Sequence, residues 1–184
     1  MTAVIATERL DLVTLPVRAL RLVDGGQIAE LERTLGTPVP AGWTDGVPAA
    51  LRLAQLAADA SEEPWLVRAM VLRTPRRLVG SIGFHQPPDA SGRAEIGYDV
   101  VATDRRQGYA RESIHGLTAW AFASGRAHVC VASISPDNAP SLALVRSLGF
   151  VHVGEQIDEV DGLELVFERR LPLDGIGITT VSFR

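Results

Sequence analysis

Arg105-Arg106-Gln107-Gly108-Tyr109-Ala110 stand between a strand-like run that ends at Val101 and a helix-type run from Tyr109 to Ser124. A strand that feeds a short turn and a helix start leaves several backbone N–H groups unpaired, with the positive end of the helix dipole behind them. Such a turn can hold a phosphate or pyrophosphate. Upstream, Glu95 offers a carboxylate that can take a proton or orient a substrate, and His85 ends the preceding strand with an imidazole suited to proton relay. A turn-capping role before Gln86-Pro87 is the competing account of His85. Downstream, Asn138 and Ser141 open a second helix, where both residue types also serve as caps. The turn is not a nucleotide-hydrolysing loop, because Tyr109-Ala110-Arg111 follow Gly108 where Gly-Lys-Ser/Thr would be needed. Nor is it a dinucleotide turn, which requires Gly-x-Gly-x-x-Gly and an acid about 20 residues later.

These residues need elements to position them. Arg9 to Leu15 alternates as a first strand and stops at Pro16. Helix-type spacing follows over Val17 to Val23, Gln27 to Leu35 and Pro48 to Ala60, interrupted by Gly25-Gly26 and by a Pro/Gly-rich loop from Gly36 to Gly46. Trp65 to Leu72, Leu78 to His85 and Arg93 to Val101 make a three-strand meander, with turns at Thr74-Pro75-Arg76-Arg77 and Gln86 to Gly92. The helix from Tyr109 closes at Gly125, and Ala127 to Ser135 is an apolar strand of the kind buried on both faces. Pro140 suits the first turn of a helix that runs to Leu148, and Phe150 to Ile157 with Leu163 to Leu171 form a last hairpin. Strand 93–101, helix, strand 127–135 is the one clear parallel connection, so its strand ends make a natural ligand crevice. The tail from Pro172, with Ile176 to Phe183, reads as one more strand or as an arm on a neighbouring copy in a homodimer.

Composition narrows the classes. The chain of 184 residues, 46% hydrophobic, fits a single domain at 1–184, with its core at about 8–171 and a tail at 172–184. Eighteen basic against 22 acidic residues give a net charge of -4, with no positive excess to neutralise a nucleic-acid backbone. The lone Cys130 lies in an apolar run and reads as a core thiol, and the four histidines are scattered, so no metal is expected. No apolar stretch is long enough for a membrane span and no leader-like segment opens the chain, which implies a cytoplasmic protein.

The sequence Arg105-x-x-Gly108-x-Ala110 resembles the Gln/Arg-x-x-Gly-x-Gly/Ala signature of the GNAT N-acetyltransferase superfamily, in the same strand, turn and helix context. Glu95-Ile96-Gly97-Tyr98 before it, Asn138-x-x-Ser141 after it and the ending Ser147-Leu148-Gly149-Phe150 resemble the RimJ/RimL-type branch. The resemblance covers roughly residues 8 to 170, and before Pro64 it holds only in arrangement. It implies a mixed α/β acyl-CoA N-acyltransferase fold: a central, mostly antiparallel sheet with one parallel, splayed strand pair, flanked by helices. It also implies acetyl-CoA as co-substrate and direct transfer of the acetyl group to a primary amine, whether a protein N-terminus, a lysine or a small molecule.

The site residues implied by the resemblance divide by ligand. Backbone amides from Arg106 through Gln107, Gly108 and Tyr109 to Ala110 would receive the pyrophosphate, with charge added by Arg105 or Arg106. Val100-Val101 would pair with the pantetheine amides, and Asn138 would contact the same arm. Glu95 would be the general base, directly or through water. Ser141 would sit near the thioester sulfur. Many GNAT enzymes carry an acid tyrosine seven residues after the asparagine; Val145 stands there, which leaves the acid open between Ser141 and water. Tyr98 and Trp43 are the candidates for the acceptor pocket, against core packing, while Arg111 and Glu112 read as a solvated helix face. The rival reading is a catalytically silent acyl-CoA-binding regulatory module, which would keep Gly108 and Asn138 and need neither Glu95 nor Ser141.

Overall fold

A computed structural model describes residues 4–159 and 162–173, so Ile176 to Phe183, expected as a strand or arm, lie outside the described residues. The strands are β1 (Val4–Ala6), β2 (Leu10–Thr14), β3 (Arg68–Arg73), β4 (Arg76–Phe84), β5 (Arg93–Val100), β6 (Val129–Ile134), β7 (Val151–Asp158) and β8 (Gly162–Arg170). The helices are α1 (Val17–Asp24), α2 (Ile28–Leu35), α3 (Ala49–Ala58), α4 (Tyr109–Ala123) and α5 (Ala139–Ser147). The strands form one eight-stranded sheet in the order β1-β2-β3-β4-β5-β6-β8-β7, and only β5 and β6 run parallel.

Each face of the sheet has its own core. On one side Ile5, Leu12, Ile82, Phe84, Ile96 and Val100 pack under Ile114, Leu117 and Ala121 of α4 and Leu142 and Val145 of α5. On the other, Ala69, Val71, Leu78 and Val101 pack under Ala19, Leu20 and Val23 of α1, Leu31 of α2 and Leu56 of α3. The period-2 alternation of the strands sends successive side chains to opposite cores. α3 buries Ala49, Arg52 and Leu56, a helical stripe. α4 comes close to the β1–β2 corner because residue 116 is glycine; a Cβ there would meet Thr7 Cγ2 at 2.5 Å. Strand β1 is absent from the sequence reading, since three residues of which only Ile5 is buried carry too little alternation to register.

Candidate active site

The turn before α4 has the backbone that the anion reading requires. A one-turn 3-10 helix (Ala102–Asp104) leads out of β5, and its buried Asp104 is ion-paired with Arg77. Arg106 has φ 63° and Gly108, the N-cap of α4, has φ 84°, so the left-handed region is entered twice within three residues. That region costs a side-chain-bearing residue about 1–2 kcal/mol, and glycine far less. Among the described residues no backbone carbonyl takes the N–H of Arg106, Gln107, Gly108 or Tyr109, and Glu112 N–H is the first to close onto Gly108 O, at 3.0 Å. These are the unpaired donors of a helix start, held on one turn.

A residue read from the sequence only as the start of the first strand completes this turn. Arg9, in the β1–β2 corner, donates from Nη1 to Gln107 O at 3.1 Å and from Nε to Glu112 Oε2 at 2.7 Å. Its guanidinium lies 4.7 Å from the Tyr109 ring centre, and its Nη2 would be 3.4 Å from a Cβ at Gly108. Glu112 also accepts from Thr7 Oγ1 and from Arg9 N–H. Burial pushes the Glu112 carboxyl up, but the hydrogen bonds from Thr7 and Arg9 outweigh it, and its pKa falls below the ordinary 4.5. The expected solvated face is therefore corrected: Glu112 is an anchor, and Arg111 donates to Ser147 Oγ at 2.6 Å, tying α4 to α5.

Beside the turn the sheet opens. β5 pairs with β6 only through Arg93↔Val129, Ala94↔Cys130 and Glu95↔Val131, whereas on its other side it follows β4 from Ile96 to Val100. Past Glu95 the parallel strands have no pairing, so a gap begins there. Val101 N–H donates to Val79 O at 3.0 Å, and its carbonyl accepts from Asp104 N–H at 2.8 Å. Its N–H is thus taken by β4, while its carbonyl keeps a second lone pair. By the alternation of an antiparallel pair, the N–H and C=O of Tyr98 and Val100 face the gap. Of these, Val100 O already accepts from Arg105 Nε at 2.9 Å, and Arg105 Nη2 lies 3.5 Å from Asp99 Oδ1.

Side chains reach the gap from both faces of the sheet. On the α4–α5 face, Asn138 caps α5 by accepting Ser141 N–H at 3.2 Å, and Pro140 sits in its first turn. This leaves the amide NH2 end of the exposed Asn138 free of the cap. Tyr98 lies on this same face, packed against the core below α4, with its hydroxyl buried and making no hydrogen bond. Burial raises the phenol pKa above 10 and the neighbouring Ser141 side chain pulls it back, although the geometry between them falls short of a hydrogen bond.

On the α1–α3 face, His85 Nδ1 is 3.7 Å from Glu95 Oε1, with the imidazole half exposed and the carboxylate a quarter exposed. His85 N–H also donates to Glu95 O at 2.8 Å, while His85 O accepts from Arg52 Nη1 at 2.7 Å and Gln55 Nε2 at 2.8 Å. The α3 side chains thereby fix the end of β4. Strand alternation separates Tyr98 from His85 by the thickness of the sheet, so the acceptor-pocket candidate Tyr98 and the proton-relay candidate His85 do not share a pocket wall. Trp43 is corrected outright: it is enclosed in the core, 1% exposed, and its indole Nε1 donates to Gly80 O at 2.8 Å. Among the described residues no cluster of three or more His, Cys, Asp or Glu is placed to hold a metal, and no helix is long and apolar enough to cross a membrane.

Comparison with known proteins agrees with this geometry. The family described as "Acetyltransferase (GNAT) domain" matches residues 30–151, two thirds of the chain, and the chain belongs to that family. It is 31% identical over 86 residues to the uncharacterized N-acetyltransferase p20 of Bacillus licheniformis, a match spanning 47% of this chain and 48% of that protein. The chain thus spans about half the length of the curated relatives it matches. Its fold is similar to the ribosomal-protein-S5-alanine acetyltransferase of Vibrio fischeri, at a TM-score of 0.64 and 15% identity over 93% of this chain and 97% of that one. It is similar also to the microcin C7 self-immunity acetyltransferase MccE in complex with acetyl-CoA and AMP, at a TM-score of 0.62 and 17% identity over 89% and 93% of the two chains.

Proposed function

We propose that this protein is an acetyl-CoA-dependent N-acetyltransferase that passes the acetyl group directly to a primary amine. The observation that carries the reading is the gap after Glu95, flanked by a turn of unpaired amides on the α4–α5 side and by a carboxylate–imidazole pair on the α1–α3 side. Pyrophosphate on the amides of residues 106–110, with Arg105 and Arg9 supplying positive charge, leads the pantetheine arm to the free N–H groups of Tyr98 and Val100 and to Asn138. The thioester then lies in the gap. An amine entering from the α1–α3 face meets its carbonyl carbon beside Glu95, which draws off the proton directly or through water while His85 orders that face. The acceptor class spans a protein N-terminus, a lysine and a small amine, and the ribosomal protein for which the Vibrio fischeri fold relative is named falls within it.

The test is release of CoA thiol from acetyl-CoA across a panel of primary amines. Cys130 is fully buried, and burial with the nearby Glu95 carboxylate pushes its thiol pKa far up, so a thiol reagent reads CoA alone. Wild type is expected to turn over at least one amine, and Glu95→Gln to slow it about 100-fold, the scale of general-base catalysis, while keeping the thermal shift with acetyl-CoA. A thermal shift with no thiol release on any amine would instead establish a silent acyl-CoA-binding module.

A further inference from the structure

The chain has two tyrosines, and only one hydroxyl is spoken for. Tyr109 Oη is hydrogen-bonded to Gln107 Oε1 at 3.2 Å. Tyr98 Oη is buried with no partner, a state that costs about 1–3 kcal/mol for a polar group. In native structures such a donor marks stored strain, a catalytic role or the place of a water, ion or ligand atom. Its place points to which atom. Tyr98 projects from β5 beyond the last β5–β6 pair, and its hydroxyl neighbours Ser141, in the first turn of the helix that follows β6, without a hydrogen bond to it. The ring therefore bridges the diverging strands on the face from which the donor enters. Val145, where the family's acid tyrosine would be expected, is an aliphatic side chain sealed in the core.

We propose that Tyr98 Oη is the hydrogen donor to the sulfur of CoA as the thioester breaks, with Ser141 Oγ returning the proton to the phenol. The inference rests on the N-acetyltransferase reading above. The amine nitrogen bonds to the acetyl carbon and the carbonyl electrons move to oxygen, while the amine loses one proton on the Glu95 side. The carbonyl re-forms, the C–S bond breaks with its electron pair on sulfur, and the Tyr98 proton passes to that sulfur to give the free thiol. Ser141 hands a proton to the phenolate and recovers one from solvent, so one proton leaves on one face and one is consumed on the other. A phenol whose pKa burial holds above its ordinary value stays protonated at neutral pH and is ready for each turnover.

The experiment compares wild type, Tyr98→Phe and Ser141→Ala in thiol release with the best amine of the panel, and in the slower hydrolysis of acetyl-CoA by water. Tyr98→Phe keeps the ring, so the Tm and the KM for acetyl-CoA are expected within about twofold or a few degrees of wild type while kcat falls about 100-fold, with a smaller loss in Ser141→Ala. Replacing the thioester sulfur by oxygen makes the leaving group more basic, and the ratio of wild-type to Tyr98→Phe rates should then widen. A packing role would move KM or Tm and leave that ratio unchanged. Should Tyr98→Phe misfold, fluorotyrosine incorporated in a Tyr109→Phe background should shift the alkaline limb of kcat to lower pH, and an unmoved limb counts against the proposal. A Tyr98→Phe kcat within twofold of wild type overturns the role of Tyr98 alone, whereas no thiol release from wild type with any amine or with water overturns the transferase reading and this role with it.

Discussion

Gly97 shows how closely the proposed acceptor face is set at the level of single residues. A Cβ there would stand 2.8 Å from His85 Nε2, because the imidazole lies over β5 beside Glu95. Gly97→Ala must push the ring off the strand, so it is expected to raise the KM for the amine and lower kcat several-fold, leaving the thermal shift with acetyl-CoA intact. Unchanged amine kinetics in a folded Gly97→Ala protein would remove His85 from the site. At this scale the turn at 105–110 was legible in the sequence, since turn, glycine and helix start are contiguous there and their backbone geometry is local. Trp43 was not. Its loop has the composition of an exposed segment, and nothing local reveals that its indole finds Gly80 O, 37 residues away.

Between elements, the β1–β2 corner acts as a brace for the helix start. Thr7 and Arg9 meet Glu112 across more than a hundred residues of sequence, and Arg9 reaches on to Gln107 in the anion turn. Because hydrogen bonds lower the folded-state pKa of Glu112, its stabilising contribution is fully present above the unfolded value of 4.5 and is lost as pH falls through the lower folded value. Glu112→Gln should lower Tm by about 3–6 °C at neutral pH, the scale of one or two charge-assisted hydrogen bonds in a chain of this size, and weaken the acetyl-CoA thermal shift. The difference from wild type should close as pH drops below 4.5. A gap that persists at low pH would show that charge is not what the brace uses. This contact is illegible from sequence for a physical reason: the periodicity of α4 says which face is apolar, and says nothing of which distant corner a carboxylate on its rim will meet.

Across the whole molecule, the antiparallel β3–β4, β4–β5 and β7–β8 neighbours follow from their short turns and the parallel β5–β6 pair from the α4 crossover, whereas the place of β8 between β6 and β7 does not follow from the sequence pattern. The point at which β5 abandons β6 was not readable, because it depends on pairing registers rather than on residue types. The same point has a kinetic meaning. In the proposed reaction the cofactor arm lies on one side of the sheet and the amine on the other, so neither substrate would stand in the other's doorway and the two products would leave by separate exits. Initial rates varied in both substrates should give intersecting reciprocal lines, and free CoA should compete with acetyl-CoA without competing with the amine. Parallel lines would mean that an acetylated protein intermediate stands between two half-reactions, and that the opening in the sheet is not a common meeting place but two separate stations used in turn.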